Sequence, residues 1–278
     1  MGKIGIITES GIEEIVFGTD KPKLIFGLSD ALSQKKERKS IGRALVKTGL
    51  EVYATDTLWP NDSYVSNNGL AIAERYFGDL AHGGNYIFGD GFVLVSSAIK
   101  DNLEEKLKDY ENFREFFSGS EVIFVPPYSR NIKGIEGSKV RPRHIDVTAN
   151  YVPGAKLLSV ARAHYSQEKE LFEELREIFG VDIKRDTAAE LYPNNFFVAQ
   201  YDGTVNVITN RYNNPFKDRK NAFDVIETDT DIINLPGKFG GSVKCAVNIS
   251  PTTKLWDALG IKYRRWGINP KQPSYAMR

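Results

Sequence analysis

The stretch Ser166–Gly180, SQEKELFEELREIFG, is followed directly by VDIKRD, residues 181–186. Its apolar Leu171, Leu175 and Ile178 recur at spacings of four and three, the period of an amphipathic helix. A glycine closes the stretch, as is common at helix ends, and the run after it is rich in strand-forming residues. Together they predict a unit made of a helix, a glycine turn and a short strand.

The same unit recurs about five times along the chain. The other copies are predicted at residues 29–56, 100–126, 218–236 and 252–267, of which 218–236 is the weakest. Strand pairs joined by Asp-Gly in residues 195–209 and by Gly-Asp-Gly in residues 86–96 predict hairpins between them. Repetition of helix, strand and hairpin predicts an α/β ring whose strands line a central channel. An α+β domain without repeat symmetry is the alternative.

Composition and charge narrow the class of protein. The chain has 278 residues without a linker or low-complexity tract, so we predict a single domain over residues 1–278. Its net charge is +1 from 37 basic and 36 acidic side chains, which predicts no nucleic-acid or membrane partner. The start resembles no secretory signal, and no apolar run reaches about 18 residues. We therefore expect a cytoplasmic protein; a homo-oligomer is compatible with the sequence.

The chain contains a single cysteine, Cys245, so no internal disulfide or multi-thiolate metal site forms within one chain. It follows Gly240, Gly241 and Lys244 in the segment FGGSVKCAVNIS. Glycines allow a ligand close to the backbone, and a neighbouring ammonium favours the reactive thiolate. A small buried hydrophobic side chain is the alternative interpretation.

His144 and Asp146 stand two residues apart in RPRHIDVTANYVPG, a segment that we interpret as a strand. Alternation in a strand places both side chains on one face. An imidazole transfers protons near neutral pH, and a carboxylate beside it can hold a cationic group. The pair also occurs by chance on surface strands. The spacing of the three histidines does not indicate a metal site, and we expect neither a metal nor a cofactor.

Four segments, taken in order, resemble the signature segments of the guanidino-group-modifying enzymes, the pentein superfamily. They are NDSYVSNNG at 61–69, HGGNYIFGDG at 82–91, HIDVTANYVPG at 144–154 and GGSVKC at 240–245. Members include arginine and agmatine deiminases, dihydrolases and amidinotransferases. The resemblance covers most of the chain and implies the family fold, a five-bladed α/β propeller of ββαβ units, which agrees with the repeat.

The resemblance also implies roles for the site residues. Cys245 matches the nucleophile that attacks the guanidino carbon and forms a covalent thiouronium intermediate. His144 matches the acid/base that protonates the departing amine and then activates water or a second amine. Asp146 matches a carboxylate that binds the guanidinium, and Asp62 an acidic position that some members use to contact substrate. Lys244 is a further candidate binding residue.

Two positions depart from the family pattern. Asn67 stands where deiminases carry a second guanidinium-binding Asp and dihydrolases carry Asn. His82 stands where the family has a Glu or Asp that hydrogen-bonds the catalytic histidine. We count both as candidate substrate-binding residues. Another carboxylate, with Asp90 the nearest in sequence, would have to orient His144, unless the chemistry is altered or lost.

These matches predict an enzyme that attacks a guanidino substrate, by hydrolysis of the deiminase or dihydrolase type. The histidine segment also resembles the amidinotransferase version, so transfer of the amidino group to an acceptor amine is an alternative. A non-catalytic binding protein of the same fold is a third, prompted by His82.

Overall fold

The chain folds into a mixed α/β structure built from short elements. The computed structural model describes residues 1–18, 21–28, 35–57, 59–128, 130–131, 139–140, 144–186, 196–211, 214–216, 223–229, 233–235, 238–241 and 243–267. The helices within these ranges are α1 Lys35–Val46, α2 Glu74–Phe77, α3 Lys100–Asp109, α4 Glu111–Phe116, α5 Arg162–Gln167, α6 Lys169–Phe179 and α7 Thr253–Ala258.

The strands within the same ranges are mostly three to seven residues long. In chain order they are β1 Gly2–Thr8, β2 Gly11–Phe17, β3 Lys23–Gly27, β4 Glu51–Thr55, β5 Tyr64–Asn67, β6 Leu70–Ala73, β7 Tyr86–Phe88, β8 Phe92–Ser96, β9 Glu121–Val125, β10 Arg130–Asn131, β11 Lys139–Val140, β12 Ala149–Val152, β13 Leu157–Ala161, β14 Asp182–Asp186, β15 Phe197–Tyr201, β16 Thr204–Asn210, β17 Asp224–Thr228, β18 Ile233–Leu235, β19 Lys238–Gly241, β20 Val247–Ser250 and β21 Tyr263–Arg265.

Five sheets share one plan in the part of the chain that the structure describes. They are sheet 1 (β2-β1-β6-β5), sheet 2 (β7-β8-β9), sheet 3 (β12-β13-β14), sheet 4 (β15-β16-β17) and sheet 5 (β20-β3-β4-β21). Each contains an antiparallel pair and a further strand parallel to the pair's second member. Helices α3 and α4, α5 and α6, and α1 make the crossovers of sheets 2, 3 and 5. Two small ribbons, β10-β11 and β18-β19, lie outside this plan.

The hydrophobic core consists of clusters that each join two sheets. One cluster, containing Ile72 and Val93, joins sheet 1 to sheet 2, and another, with Leu94 and Val160, joins sheet 2 to sheet 3. The remaining clusters join sheet 3 to sheet 4, sheet 4 to sheet 5, and sheet 5 back to sheet 1. Packing between neighbouring sheets therefore closes a cycle, with apolar side chains removed from water at every junction.

Most of the predicted units are present. The quoted stretch forms α6, ends at Gly180 in the left-handed region with φ of 63°, and continues into β14. Helix α6 buries Phe172 and Leu175, whereas Ile178, which was predicted to lie on the apolar face, is 58% exposed. The predicted hairpins are β7-β8 and β15-β16, and the second turns at Asp202 and Gly203 with φ of 50° and 74°.

The copy predicted at residues 218–236 is wrong where it can be compared. Residues 224–228 form strand β17, which pairs parallel to β16, instead of a helix. The β-branched Val225 and Ile226 favour a strand. Pairing with β16 and packing of Ile226 into the core stabilise it in this position. Residues 217–222 lie outside the described ranges.

Among the described residues, no helix has both the length and the apolar composition needed to cross a bilayer. The expected cytoplasmic location stays a prediction.

Candidate active site

All of the candidate side chains except Asn67, which lies in β5, share one position in the repeated plan. In four of the five sheets, they lie in the segment that directly precedes the first strand of the antiparallel pair. These segments supply Asp62 before β5, His82 before β7, His144 and Asp146 before β12, and Lys244 and Cys245 before β20. The corresponding segment of sheet 4, residues 187–195, lies outside the described residues.

Two glycines allow three of these segments to come close together. A Cβ on Gly83 would lie 2.4 Å from Oδ1 of Asn61. A Cβ on Gly84 would lie 2.4 Å from Nδ1 of His144 and 3.0 Å from Oδ1 of Asp146. Because ordinary side chains do not fit at such separations, the double glycine after His82 is needed for the approach.

The structure corrects the local setting of His144 and Asp146. His144 precedes a short 3-10 turn, Ile145–Val147, that contains Asp146, so the pair is not in a strand. The contact with Gly84 nevertheless places both side chains against the same backbone. Asp146 is fully buried, and its Oδ2 lies 3.8 Å from Nζ of Lys244.

Cys245 is largely buried and lies beside the turn that carries Asp62. Its carbonyl accepts a hydrogen bond from the amide of Asn61 at 3.4 Å. The Asn248 amide group donates to the carbonyls of Pro60 and Tyr64 at 2.9 and 3.0 Å, which holds β20 against the same turn. The structure therefore brings the nucleophile candidate and Asp62 together.

Two cations act electrostatically on Cys245. Lys244, whose Nζ donates to the Tyr86 carbonyl at 3.2 Å, was a sequence candidate, whereas Arg38 was not. The fully buried guanidinium of Arg38 donates to the Gly27 carbonyl at 3.0 Å and packs over Trp59, 4.8 Å from its ring. Neighbouring positive charge favours a thiolate. Nothing in the charged run at residues 36–39 distinguishes Arg38 from its less buried neighbours.

His82 contacts His144 through its ring. The two rings meet edge to face, with centroids 5.5 Å apart. On its other side, Nε2 of His82 lies 3.6 Å from Oε1 of Glu74 and 3.9 Å from Oδ1 of Asp79. These two carboxylates were missed in the sequence because they lie eight and three residues before the motif.

The suggestion that Asp90 replaces the family carboxylate is wrong. Asp90 is exposed and accepts a hydrogen bond from the Tyr151 hydroxyl at 2.8 Å. It follows the end of β7, whereas His82 precedes its start, so the strand separates the two.

The interpretation of Asn67 as a guanidinium-binding residue is also corrected. Its Nδ2 donates to the carbonyl of Phe116, the last residue of α4, at 2.6 Å. Asn68 adopts φ of 50° and donates to the carbonyl of Ser118 at 2.9 Å. Asn67 is the last residue of β5, whereas Asp62 precedes the start of that strand. At the rise per residue of a strand, the two residues are roughly 15 Å apart. Both amides therefore hold a hairpin against the end of a helix.

Burial makes the charges of this site mutually dependent. Burial, followed by the charges of Asp146, Glu74 and Asp79, raises the pKa of Asp62 to about 8. Burial lowers the pKa of His144, although Asp146 opposes the effect. Burial also lowers the pKa of Lys244, again opposed by Asp146. The site thus combines burial with several carboxylates, and each influences the pKa values of its neighbours.

One group of side chains offers donor atoms for a metal. An oxygen of Asp62 and a ring nitrogen each of His82 and His144 lie within 4.8 Å of one another. The spacing of these residues in the sequence gave no indication of the group.

Comparison with known proteins was made by sequence and by structure. No protein-family model and no curated protein matches the sequence. The structure matches DDAH from Pseudomonas aeruginosa, a mutant in complex with citrulline, with a TM-score of 0.51 and 10% identity over 82% of this chain and 98% of that one. It also matches dimethylarginine dimethylaminohydrolase in an adduct with S-methyl-L-thiocitrulline, with a TM-score of 0.53 and 12% identity over 82% and 99%.

A third match is ArgZ, an arginine dihydrolase from the ornithine-ammonia cycle in cyanobacteria, with a TM-score of 0.54 and 11% identity. It covers 82% of this chain and 40% of ArgZ. The chain has the fold of the guanidino-modifying enzymes. At 10 to 12% identity the similarity establishes this fold, a mixed α/β arrangement of several small sheets, and the chemistry depends on the side chains.

Proposed function

We propose that the protein is a hydrolase that attacks the guanidino carbon of arginine or a related compound. The observation that carries the proposal is the convergence of Cys245, His144, Asp146 and Asp62 from separate sheets in a fold shared with two kinds of guanidino hydrolase. The sole cysteine directly follows Lys244, whose ammonium lies 3.8 Å from the fully buried Asp146, and Asp146 and His144 lie against the same glycine, Gly84. Hydrolysis is proposed over amidino transfer because the named activities of the structural neighbours are hydrolytic.

The reaction begins at the thiolate of Cys245. Its sulfur adds to the guanidino carbon, and the carbon–nitrogen bond to the leaving amine breaks as His144 donates a proton to that nitrogen. This leaves a thiouronium group on sulfur. His144, now neutral, takes a proton from water, the hydroxyl adds to the same carbon, and the carbon–sulfur bond breaks. The products are a ureido compound and ammonia or an amine, and the thiolate is regenerated.

Carboxylates bind the substrate cation in this scheme. Asp146 is fully buried beside His144, and a planar guanidinium suits paired charge-assisted hydrogen bonds to a carboxylate. Asp62 adds a second acidic group, close enough to Asp146 for their charges to interact. Lys244, 3.8 Å from Asp146, balances that carboxylate before substrate binds.

His82 is proposed to orient His144 in place of the family carboxylate. The His82 ring packs edge to face against the His144 ring, and Glu74 and Asp79 lie near Nε2 of His82. This packing limits rotation of the His144 ring. This arrangement supports a catalytic protein over a non-catalytic binding member of the fold.

We also infer that the five sheets are the blades of one ring over residues 1–278. The cycle of core clusters supports this inference, because each cluster joins a sheet to the next and the last joins sheet 5 to sheet 1. A ring places the segments before the first strands around one axis, where the candidate site lies.

A product screen tests the proposal. The protein is incubated with arginine, agmatine, methylated arginines and other guanidino compounds, and ammonia, amine and ureido products are measured without an added acceptor amine. We expect one compound to be hydrolysed, with Cys245→Ser inactive and equally folded. Turnover that requires an acceptor amine would indicate transfer, and no turnover of any guanidino compound would contradict the proposal.

A further inference from the structure

Asp62, His82 and His144 form a group of metal-binding side chains contributed by segments before three different sheets. One donor atom of each lies within 4.8 Å of the others. All three residues are partly buried. Cys245 lies in a described segment but is not a member of this group.

Two imidazoles and one carboxylate suit a divalent transition metal ion. Zinc-type ions bind imidazole nitrogen and carboxylate oxygen at about 2.0 to 2.2 Å, and donors around a tetrahedral ion are then about 3.4 Å apart. Shifts of roughly 1 Å by partly exposed side chains bring the group to this geometry. Hard cations such as Mg²⁺ prefer all-oxygen ligands and are disfavoured by the two imidazoles.

The surroundings of His82 resemble the outer shell of a metal site. Its Nε2 lies 3.6 Å from Glu74 and 3.9 Å from Asp79. A carboxylate that attracts the proton to one ring nitrogen of a histidine leaves the other nitrogen to coordinate a metal. Such carboxylate–histidine–metal arrangements fix the ring and strengthen the ligand.

The charge around Asp62 also favours a cation. Its Oδ1 is buried and accepts no hydrogen bond from any residue in the described ranges. Glu74, Asp79 and Asp146 add negative charge around it, against the single ammonium of Lys244. Burial of that much like charge is costly, and a proton or a bound cation relieves the cost.

We propose that Asp62, His82 and His144 bind a divalent transition metal ion of the zinc type, with a fourth coordination position open. His144 bound to the ion has no lone pair for proton transfer. This consequence rests on the proposed function of His144: metal and guanidino substrate compete for the same imidazole. His82, which replaces the family carboxylate, supplies the ligand that makes the site.

Equilibrium binding of Zn²⁺ to the whole chain tests this site without any activity measurement. We expect one Zn²⁺ per chain, and with Co²⁺ the visible absorption of a low-symmetry, four- or five-coordinate site. His82→Gln and Asp62→Asn should each weaken Zn²⁺ binding at least tenfold, whereas Cys245→Ser should not weaken it. Asp90→Asn is the matched carboxylate control, because Asp90 is exposed and hydrogen-bonded to Tyr151 away from the site.

Thermal unfolding checks that each variant is folded, and a variant that does not fold is replaced by the second ligand variant. Equal Zn²⁺ affinity in folded His82→Gln or Asp62→Asn, or loss of binding in Cys245→Ser, would overturn the proposal. Stronger binding of Mg²⁺ than of Zn²⁺ would also overturn it. These outcomes do not depend on turnover, so failure of the proposed hydrolysis and failure of the metal site are distinguishable.

Discussion

Gly84→Ala displaces His144 without altering any ionisable group, which makes it a direct test of the site's geometry. The added Cβ would lie 2.4 Å from Nδ1, 2.7 Å from Cγ of the imidazole and 3.0 Å from Oδ1 of Asp146. An ordinary contact needs about 3.4 Å, so the ring must move by roughly 1 Å. A misplacement of that size costs about 100-fold in rate when the displaced group transfers a proton. We expect kcat for guanidino hydrolysis to fall by that factor while KM changes by less than fivefold.

Gly89→Ala is the matched control. A Cβ on Gly89 would lie 2.2 to 2.5 Å from ring atoms of Phe92, an overlap as severe as that at Gly84. Neither glycine has a positive φ, so steric overlap is the common perturbation. Both variants should lose about 1 to 3 kcal/mol of stability from overpacking. Ammonia release per folded molecule, with the folded fraction from urea unfolding, separates the two. A loss of kcat in Gly84→Ala no larger than that in Gly89→Ala would refute the placement of His144.

Three other substitutions test individual contacts. Asn67→Asp removes the hydrogen-bond donor to the Phe116 carbonyl, so the free energy of unfolding in urea should fall by about 1 to 3 kcal/mol while KM is unchanged. A tenfold change in KM at unchanged stability would instead place Asn67 in the substrate site. His82→Glu replaces a ring that lowers the pKa of His144 with a carboxylate that raises it. The basic limb of the pH–rate profile should therefore move to higher pH. An unmoved limb would argue against contact between residue 82 and His144. Burial lowers the pKa of His164 below 6.5, so the unfolded chain binds its proton first and stability should fall below pH 6.5, by up to about 1.4 kcal/mol per pH unit. His164→Gln should flatten that dependence in unfolding experiments, and an equally steep fall in the variant would assign it elsewhere.

Much of the fold was predictable because local patterns specify it. The helix that ends at Gly180 and the Asp-Gly hairpin at residues 202–203 each depend on neighbours in sequence. Strand β17 was missed because its strand state comes from pairing with β16 and burial of Ile226, contacts remote in sequence. Local periodicity carries no information on such pairing.

The site was predictable only in part. The order of motifs marked Cys245, His144 and Asp146 as candidates, but no local pattern indicates that Glu74 and Asp79 lie beside His82. Their proximity depends on how the segment between β6 and β7 folds back on itself.

Asn67 and Arg38 show a different limit. An amide at the end of a strand has the same sequence appearance whether it faces a ligand or, as here, the carbonyl of Phe116. A buried arginine within a charged helix likewise cannot be told from its exposed neighbours until Trp59 and Cys245 are seen around it.

The central claim is that Cys245 forms a covalent bond to the guanidino carbon of the substrate. Acid quenching during turnover, followed by proteolysis and mass spectrometry, measures that bond directly. We expect the peptide containing Cys245 to gain the mass of the amidino fragment of the substrate during steady state. Cys245→Ser should show no adduct, and Gly84→Ala should accumulate adduct more slowly. Turnover without any adduct on Cys245, or with an equal rate in Cys245→Ser, would contradict the account.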